Sequence, residues 1–165
     1  MKNKILDWLI TIAVSVIIYS FILIFILPIR VDGESMFPNF GDDDFLITTR
    51  AYLHNDFGYG DVIIFRADSK KLIKRVIGVG GDTIKIEEGK VYVNGIELNE
   101  PYINNEPLET MEITVPSNTY FVMGDNRQNS IDSRFDEIGL IHKDDVFGKV
   151  IFRVFPNMQI IKEVD

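Results

Sequence analysis

Hydrophobic and polar positions follow two different rhythms along the chain. From Trp8 to Ile29 no charged residue occurs, and the apolar stretch 5–27 runs for 23 residues with Asp7 as its only interruption. At the rise of an α-helix this is about 34 Å, enough to cross a hydrocarbon core of about 30 Å. A continuous helix is also the form that satisfies its own backbone hydrogen bonds in lipid. Beyond residue 30 the apolar positions come in short alternating or continuous runs separated by turns. These runs, 45–49, 61–66, 72–78, 83–87, 90–94, 112–115, 119–123 and 146–154, read as strands. Glu88-Gly89 and Asn94-Gly95 are turn pairs, so 83–98 reads as hairpins. Residues 99–111 hold two prolines and few apolar side chains and read as a loop. The expectation is a mainly β protein: a short N-terminus and transmembrane anchor over 1–30, then a strand-rich domain over 31–165.

A cleavable leader is the other reading of the apolar stretch. Such leaders have a shorter apolar region, about 7–15 residues, ending at small residues. Here the run is longer and leaves through Leu27-Pro28-Ile29-Arg30, so an uncleaved single-pass anchor is expected. Lys2 and Lys4 precede the span, whereas Arg30 is followed by Asp32, Glu34 and three consecutive aspartates. The positive-inside rule then puts the N-terminus in the cytoplasm and the domain outside the plasma membrane. The net charge of −8 is more negative still over residues 31–165, because three cations and one acid lie before them. That excludes a nucleic-acid partner, which needs a basic face. There is no cysteine, so disulfides and thiolate chemistry are excluded. His54 and His142 have no partner at metal-ligand spacing and read as surface or loop residues; neither metal nor cofactor is implied.

Three segments break the strand pattern. The first is Asp32-Gly33-Glu34-Ser35-Met36-Phe37-Pro38, where Gly33 permits unusual backbone angles and Pro38 fixes the exit of the loop. A serine there could present both hydroxyl and N–H to a substrate carbonyl, although a loop serine is more often a turn residue. The second is Leu72-Ile73-Lys74-Arg75-Val76-Ile77, which carries two cations inside an apolar strand. Alternation puts Lys74 on one face with Leu72 and Val76, and Arg75 on the other with Ile73 and Ile77. Lys74 is then either an edge-strand lysine that discourages aggregation or a desolvated amine. An ordinary lysine is neutral in only about one molecule in 2,500 at pH 7, but burial can lower its pKa by 3–5 units. Such an amine can take a proton from a serine hydroxyl. The third segment, 124–134, packs amides, hydroxyls and opposite charges after a strand, and Asp132 and Arg134 are spaced for a salt bridge.

Together these segments resemble the bacterial type I signal peptidases, Ser/Lys serine proteases of peptidase family S26. The resemblance runs over essentially the whole chain. It rests on Gly33-Glu34-Ser35-Met36-Phe37-Pro38, on Tyr59-Gly60-Asp61-Val62-Ile63-Ile64-Phe65, on Lys74-Arg75-Val76-Ile77-Gly78-Val79-Gly80-Gly81-Asp82, and on residues 124–134. It implies a membrane-bound endopeptidase that removes signal peptides from exported preproteins without a cofactor. Ser35 would be the nucleophile and Lys74 the general base, with Ser130 hydrogen-bonded to the Lys74 amine and aiming it. Asp132 and Arg134 would brace the last segment, and Gly33 and Met36 would support the nucleophile. The Ser35 N–H would donate to the oxyanion; the serine that some relatives carry two positions earlier is Gly33 here. ER-type relatives have histidine where Lys74 stands. Asn39 replaces a usual threonine and Gly80 a usual proline, which implies looser loops. A β core over 31–81 and 117–156 with a β insertion over 82–116 is also implied.

Ser35 lies eight residues beyond Leu27, so its hydroxyl belongs near the bilayer, where anchored enzyme and embedded substrate meet at raised effective concentration. Phe37 and Phe40 are candidates for either core or membrane interface. Shallow pockets for small side chains, one and three positions before the cut, are implied by the resemblance. The alternative reading is a catalytically inactive anchored β homologue that serves as a scaffold or binding module. A third reading is a related Ser/Lys protease with another target, such as a self-cleaving repressor, which would need a DNA-binding domain where this chain has its apolar span.

Overall fold

The computed structural model describes residues 4–68 and 70–161. Lys2, one of the cations behind the orientation argument, lies outside them. The apolar stretch forms helix α1 (Lys4–Phe25), long and apolar enough to cross a membrane, with none of its side chains buried against the rest of the protein. The chain then passes directly into strand β1 (Ile26–Arg30). Residues 26–30, expected in the anchor, therefore pair in the main sheet. β1 lies at the sheet's edge, where Pro28 costs no ladder hydrogen bond with a second neighbour.

The main sheet is antiparallel. Along it lie β1, β2 (Phe45–Arg50), β11 (Val146–Phe155), β3 (Val62–Ala67), β4 (Lys70–Val79), β9 (Thr119–Met123) and β10 (Ile141–His142), in that spatial order. Strand β12 (Gln159–Ile160) pairs with β11. A second sheet holds β5 (Thr83–Glu87), β6 (Lys90–Val93), β7 (Ile96–Glu97) and β8 (Met111–Thr114) in the order β7-β6-β5-β8. The eight strands expected from periodicity are all present. The second hairpin expected within 83–98 supplies β7, whereas the short β10 and β12 were not expected, because two residues carry no periodicity to read.

β3 is central because both of its faces are buried. Ile63 and Phe65 pack with Phe57, Val76, Tyr120 and Val122, while Val62 and Ile64 pack with Val31, Met36, Phe40, Leu46 and Val150. The alternation of a strand sends consecutive residues to opposite cores. A third cluster, including Ile77, Ile84, Ile86, Val115, Phe121 and Met123, joins the two sheets.

Gly80 does more than loosen a turn. A Cβ there would lie 2.9 Å from Ser117 Cα and 3.0 Å from Pro116 O, so its bareness lets two backbone segments touch. Gly148 is a tighter case. It sits at a register shift between β11 and β3, and a Cβ would collide with the carbonyl oxygen of Thr49 on β2. Gly148→Ala is expected to destabilise the protein by about 2 kcal/mol, because the obstruction is backbone that cannot rotate away. Chemical denaturation in detergent micelles measures this.

Candidate active site

The nucleophile loop is pegged by its own side chains. Met36 and Phe40 are fully buried, and Phe40 N–H donates to Met36 O at 2.9 Å. Phe37, between them, is 47% exposed, so the two phenylalanines divide between core and surface. Gly33 adopts φ +100°, a conformation that a side chain would strain, and its N–H donates to Asp42 Oδ1 at 3.1 Å. Ser35 is held half-buried by these pegs.

Lys74 comes from the middle of β4, opposite Ile63 on β3, in a strand that is buried from this residue to Gly78. Its side chain is 2% exposed and places Nζ 2.6 Å from Ser35 Oγ. Burial pulls the Lys74 pKa down to about 8, the carboxylates of Asp132 and Asp125 oppose that fall, and Arg134 assists it. A hydroxyl in contact with an amine that loses its proton near neutrality can pass a proton to it and attack a carbonyl.

Residues 124–134 form the floor. Asp132 is wholly buried and accepts Gly124 N–H (2.8 Å), Ser130 Oγ (2.8 Å) and two nitrogens of Arg134 (2.8 and 2.9 Å). The Asp132–Arg134 salt bridge is therefore present. Ser130 lines the same cavity as Ser35 and Lys74, but its hydroxyl is given to Asp132 rather than to the amine. The expected Ser130–Lys74 hydrogen bond is not among those of the described residues. The carboxylate is the stronger acceptor and lies only two residues away. Gly124 has no room for a side chain, since a Cβ would meet Ser130 and come within 2.5 Å of Ser35 O. The floor and the nucleophile loop are thus in backbone contact.

Several residues that hold the site were not picked out from the sequence. Asn126 donates its N–H to Ser35 O (3.0 Å) and Nδ2 to Glu34 O (3.1 Å). Among the described residues nothing accepts the Ser35 N–H, which leaves it available to a ligand. Arg75, 3% exposed on the face opposite Lys74, makes a two-pronged bridge to Asp125 (2.8 and 2.6 Å) and stacks 4.1 Å from the Tyr102 ring. Asn39 joins this network through Asp125 Oδ2 (2.8 Å) and Tyr102 O (2.7 Å). The amide thus ties the loop down rather than loosening it. Arg127 pairs with Glu100 (2.5 and 2.9 Å), and Arg134 reaches Glu109 (2.6 Å). The segment 99–111, which reads as a loop, therefore sends Glu100, Tyr102 and Glu109 into the site. The one sequence clue was Arg75, since a charge inside an apolar strand requires a buried counter-ion.

Two cavities open on the Ser35–Lys74 contact. The smaller, about 220 Å³, is walled by β1 and β4 side chains including Ile29 and Ile73, and by Val31 just beyond β1. The larger, about 720 Å³, lies between the β3–β4 turn and residues 128–138.

An antiparallel β domain with a serine hydroxyl on a buried amine is a scaffold suited to hydrolysis by acyl transfer. Comparison with known proteins agrees. A family model described as signal peptidase, peptidase S26, matches residues 5–155. Signal peptidase I of Bacillus amyloliquefaciens is 34% identical over 98% of this chain and 94% of that protein. Signal peptidase IB of Staphylococcus aureus is 35% identical over 94% and 92%. A crystal structure of a signal peptidase I from Enterococcus faecalis is similar with a TM-score of 0.52 at 29% identity, covering 58% of this chain and 97% of that one. The chain belongs to the signal peptidase family, peptidase S26, and is a serine endopeptidase.

Two stability effects follow from the buried charges. Lys74 has a pKa of about 8 in the fold against an ordinary 10.5, so the unfolded chain holds the proton more tightly. The buried amine then costs about 3 kcal/mol of stability below pH 8, and this cost fades as pH rises from 8 to about 10.5. Lys74→Met is expected to be more stable than the parent by about that amount at pH 7, with the gap closing above pH 10. Asp125→Ala strands the Arg75 guanidinium and is expected to cost about 3–5 kcal/mol. Denaturant titrations across the pH range read both.

Proposed function

We propose that this endopeptidase is anchored in the plasma membrane by α1 and cuts signal peptides from exported preproteins, with Ser35 as nucleophile and Lys74 as general base. The observation that carries the reading is the 2.6 Å contact between Ser35 Oγ and a Lys74 amine that burial brings to a pKa of about 8. Neutral Lys74 takes the Ser35 proton as Oγ attacks the scissile carbonyl. The free Ser35 N–H donates to the oxygen that becomes negative, a contact worth about 3 kcal/mol where such donors have been removed. Lys74, now an ammonium, gives its proton to the departing amine. Neutral again, it takes a proton from the water that attacks the acyl carbon and returns one to Ser35 Oγ as the acyl bond breaks, which restores hydroxyl and amine.

Asp132 and Arg134 brace the floor, and Gly33 and Met36 shape the loop. Ser130 acts through Asp132: their hydrogen bond fixes the carboxylate beside the amine, so Ser130 positions the site indirectly. The small cavity beside β1 suits a small side chain just before the cut. In this layout α1 is the anchor, the main sheet carries the reaction, and residues 82–116 are an insertion whose loop between β7 and β8 contributes buttressing side chains. The domain lies outside the cell, as the flanking charges favour, where a membrane-embedded signal peptide presents its cleavage site.

With a preprotein substrate and mass spectrometry of the new N-terminus, Ser35→Ala and Lys74→Ala are each expected to lower the rate on the order of a thousandfold or more. Lys74 must be neutral, so kcat/KM is expected to rise with pH through a single step centred near 8. A profile flat from pH 6 to 9, or unimpaired variants, would remove Lys74 from the role of base.

A further inference from the structure

The end of α1 sits where its backbone needs outside donors. The last carbonyls of a helix have no partner within it, and the last turn of α1 carries no basic side chain. Two donors reach in from the end of β2 and the turn that follows it. Arg50 places Nε and Nη2 on Leu23 O at 3.2 and 3.0 Å. Tyr52 donates its hydroxyl to Ile24 O. A cation here also opposes the negative end of the helix dipole. Arginine and tyrosine are the side-chain types that settle at a membrane–water boundary, where an unpaired carbonyl is costly.

The covalent path is equally short. β1 starts at the residue after α1, and all five of its residues pair with β2, from Ile26↔Thr49 to Arg30↔Phe45. A flexible linker of that length would let the domain wander by about 12 Å. A paired strand spans about 17 Å and does not. Helix and sheet are thus joined twice, through the chain and through the Arg50 and Tyr52 side chains.

We infer that Arg50 and Tyr52 are positioning residues that seat the main sheet on the end of α1 and hold Ser35 at a set height above the bilayer. Resting on the function proposed above, the enzyme then chooses its peptide bond by distance from the membrane as well as by side chain. Neither residue touches the Ser35–Lys74 cavities, so the effect appears only with membrane-embedded substrates.

The test uses the full chain in vesicles of phosphatidylcholine and phosphatidylglycerol, with embedded substrates whose cleavage motif is moved stepwise away from their apolar segment. A soluble peptide carrying the same motif is the control. In the parent, a two-residue displacement, about 7 Å, is expected to lower the rate by about tenfold or more. In the double variant Arg50→Ala, Tyr52→Phe the profile is expected to flatten to within about threefold, while the soluble peptide is cut at the parent rate. A variant that keeps the sharp profile, or loses the peptide rate in parallel, overturns the inference. A second readout is independent of cleavage. Because the chain has no cysteine, Ser15→Cys and Asp136→Cys accept a unique pair of spin labels. Their distance distribution is expected to be single and narrow in the parent and at least about twofold broader in the variant, because only the backbone at the Phe25–Ile26 junction then joins helix to sheet and can act as a hinge. Equal widths overturn the inference. If the parent cuts no embedded or soluble substrate, the proposed function fails, and the label distances still decide the seating.

Discussion

The desolvation of one amine is the constraint on which the rest of the site depends. Lys74 lies on a strand that is buried from that point to Gly78, next to a β3 buried on both faces over residues 62–65, and little water reaches it. Burial alone would pull its pKa down, yet Asp132 and Asp125 lie near enough to pull it back. The fold answers each carboxylate with a guanidinium: Arg134 on Asp132, Arg75 on Asp125. A third pair, Arg127 with Glu100, closes the ring behind them. These bridges are poor evidence for stability as such, since desolvating two ions offsets much of their attraction. Their consequence is electrostatic: each carboxylate is answered by an arginine, so burial keeps control of Lys74.

The same arrangement explains why the nucleophile loop and the floor are in backbone contact. A serine hydroxyl helps only if it stays within hydrogen-bond reach of the amine, and small displacements are costly in acyl transfer. Two buried pegs, Met36 and Phe40, hold the loop from beneath. Asn126 and the bare Gly124 hold it from the side, through Glu34 O and Ser35 O. Asn39 ties it to the Arg75–Asp125 bridge. The charges that tune the amine and the bonds that place the hydroxyl therefore belong to one network, which makes the site stiff.

The sequence revealed what has a period or a strong local chemistry. The apolar stretch, eight strands and the hairpins at Glu88-Gly89 and Asn94-Gly95 could be read because their patterns repeat over several residues. Ser35 and Lys74 stood out as residues out of place, a serine in a glycine-marked loop and an amine in an apolar strand. β1 was hidden because its residues continue the apolar run of the helix, so that composition does not mark the change. Glu100, Tyr102 and Glu109 were hidden for another reason. Their partners lie across the fold at 127, 75 and 134, and no short-range pattern announces a bond between residues so far apart. The bond expected between Ser130 and Lys74 shows a further limit. Proximity was anticipated, but that the Ser130 hydroxyl gives its proton to Asp132 is decided only by geometry.

The most direct test is to watch the amine itself. With lysine side chains labelled at Cε, and the Lys74 resonance assigned by its loss in Lys74→Arg, an NMR titration of the full chain in detergent micelles follows its protonation. The account predicts a midpoint near 8, about two and a half units below an ordinary lysine. A midpoint near 10.5, the value of a solvated lysine, would contradict it.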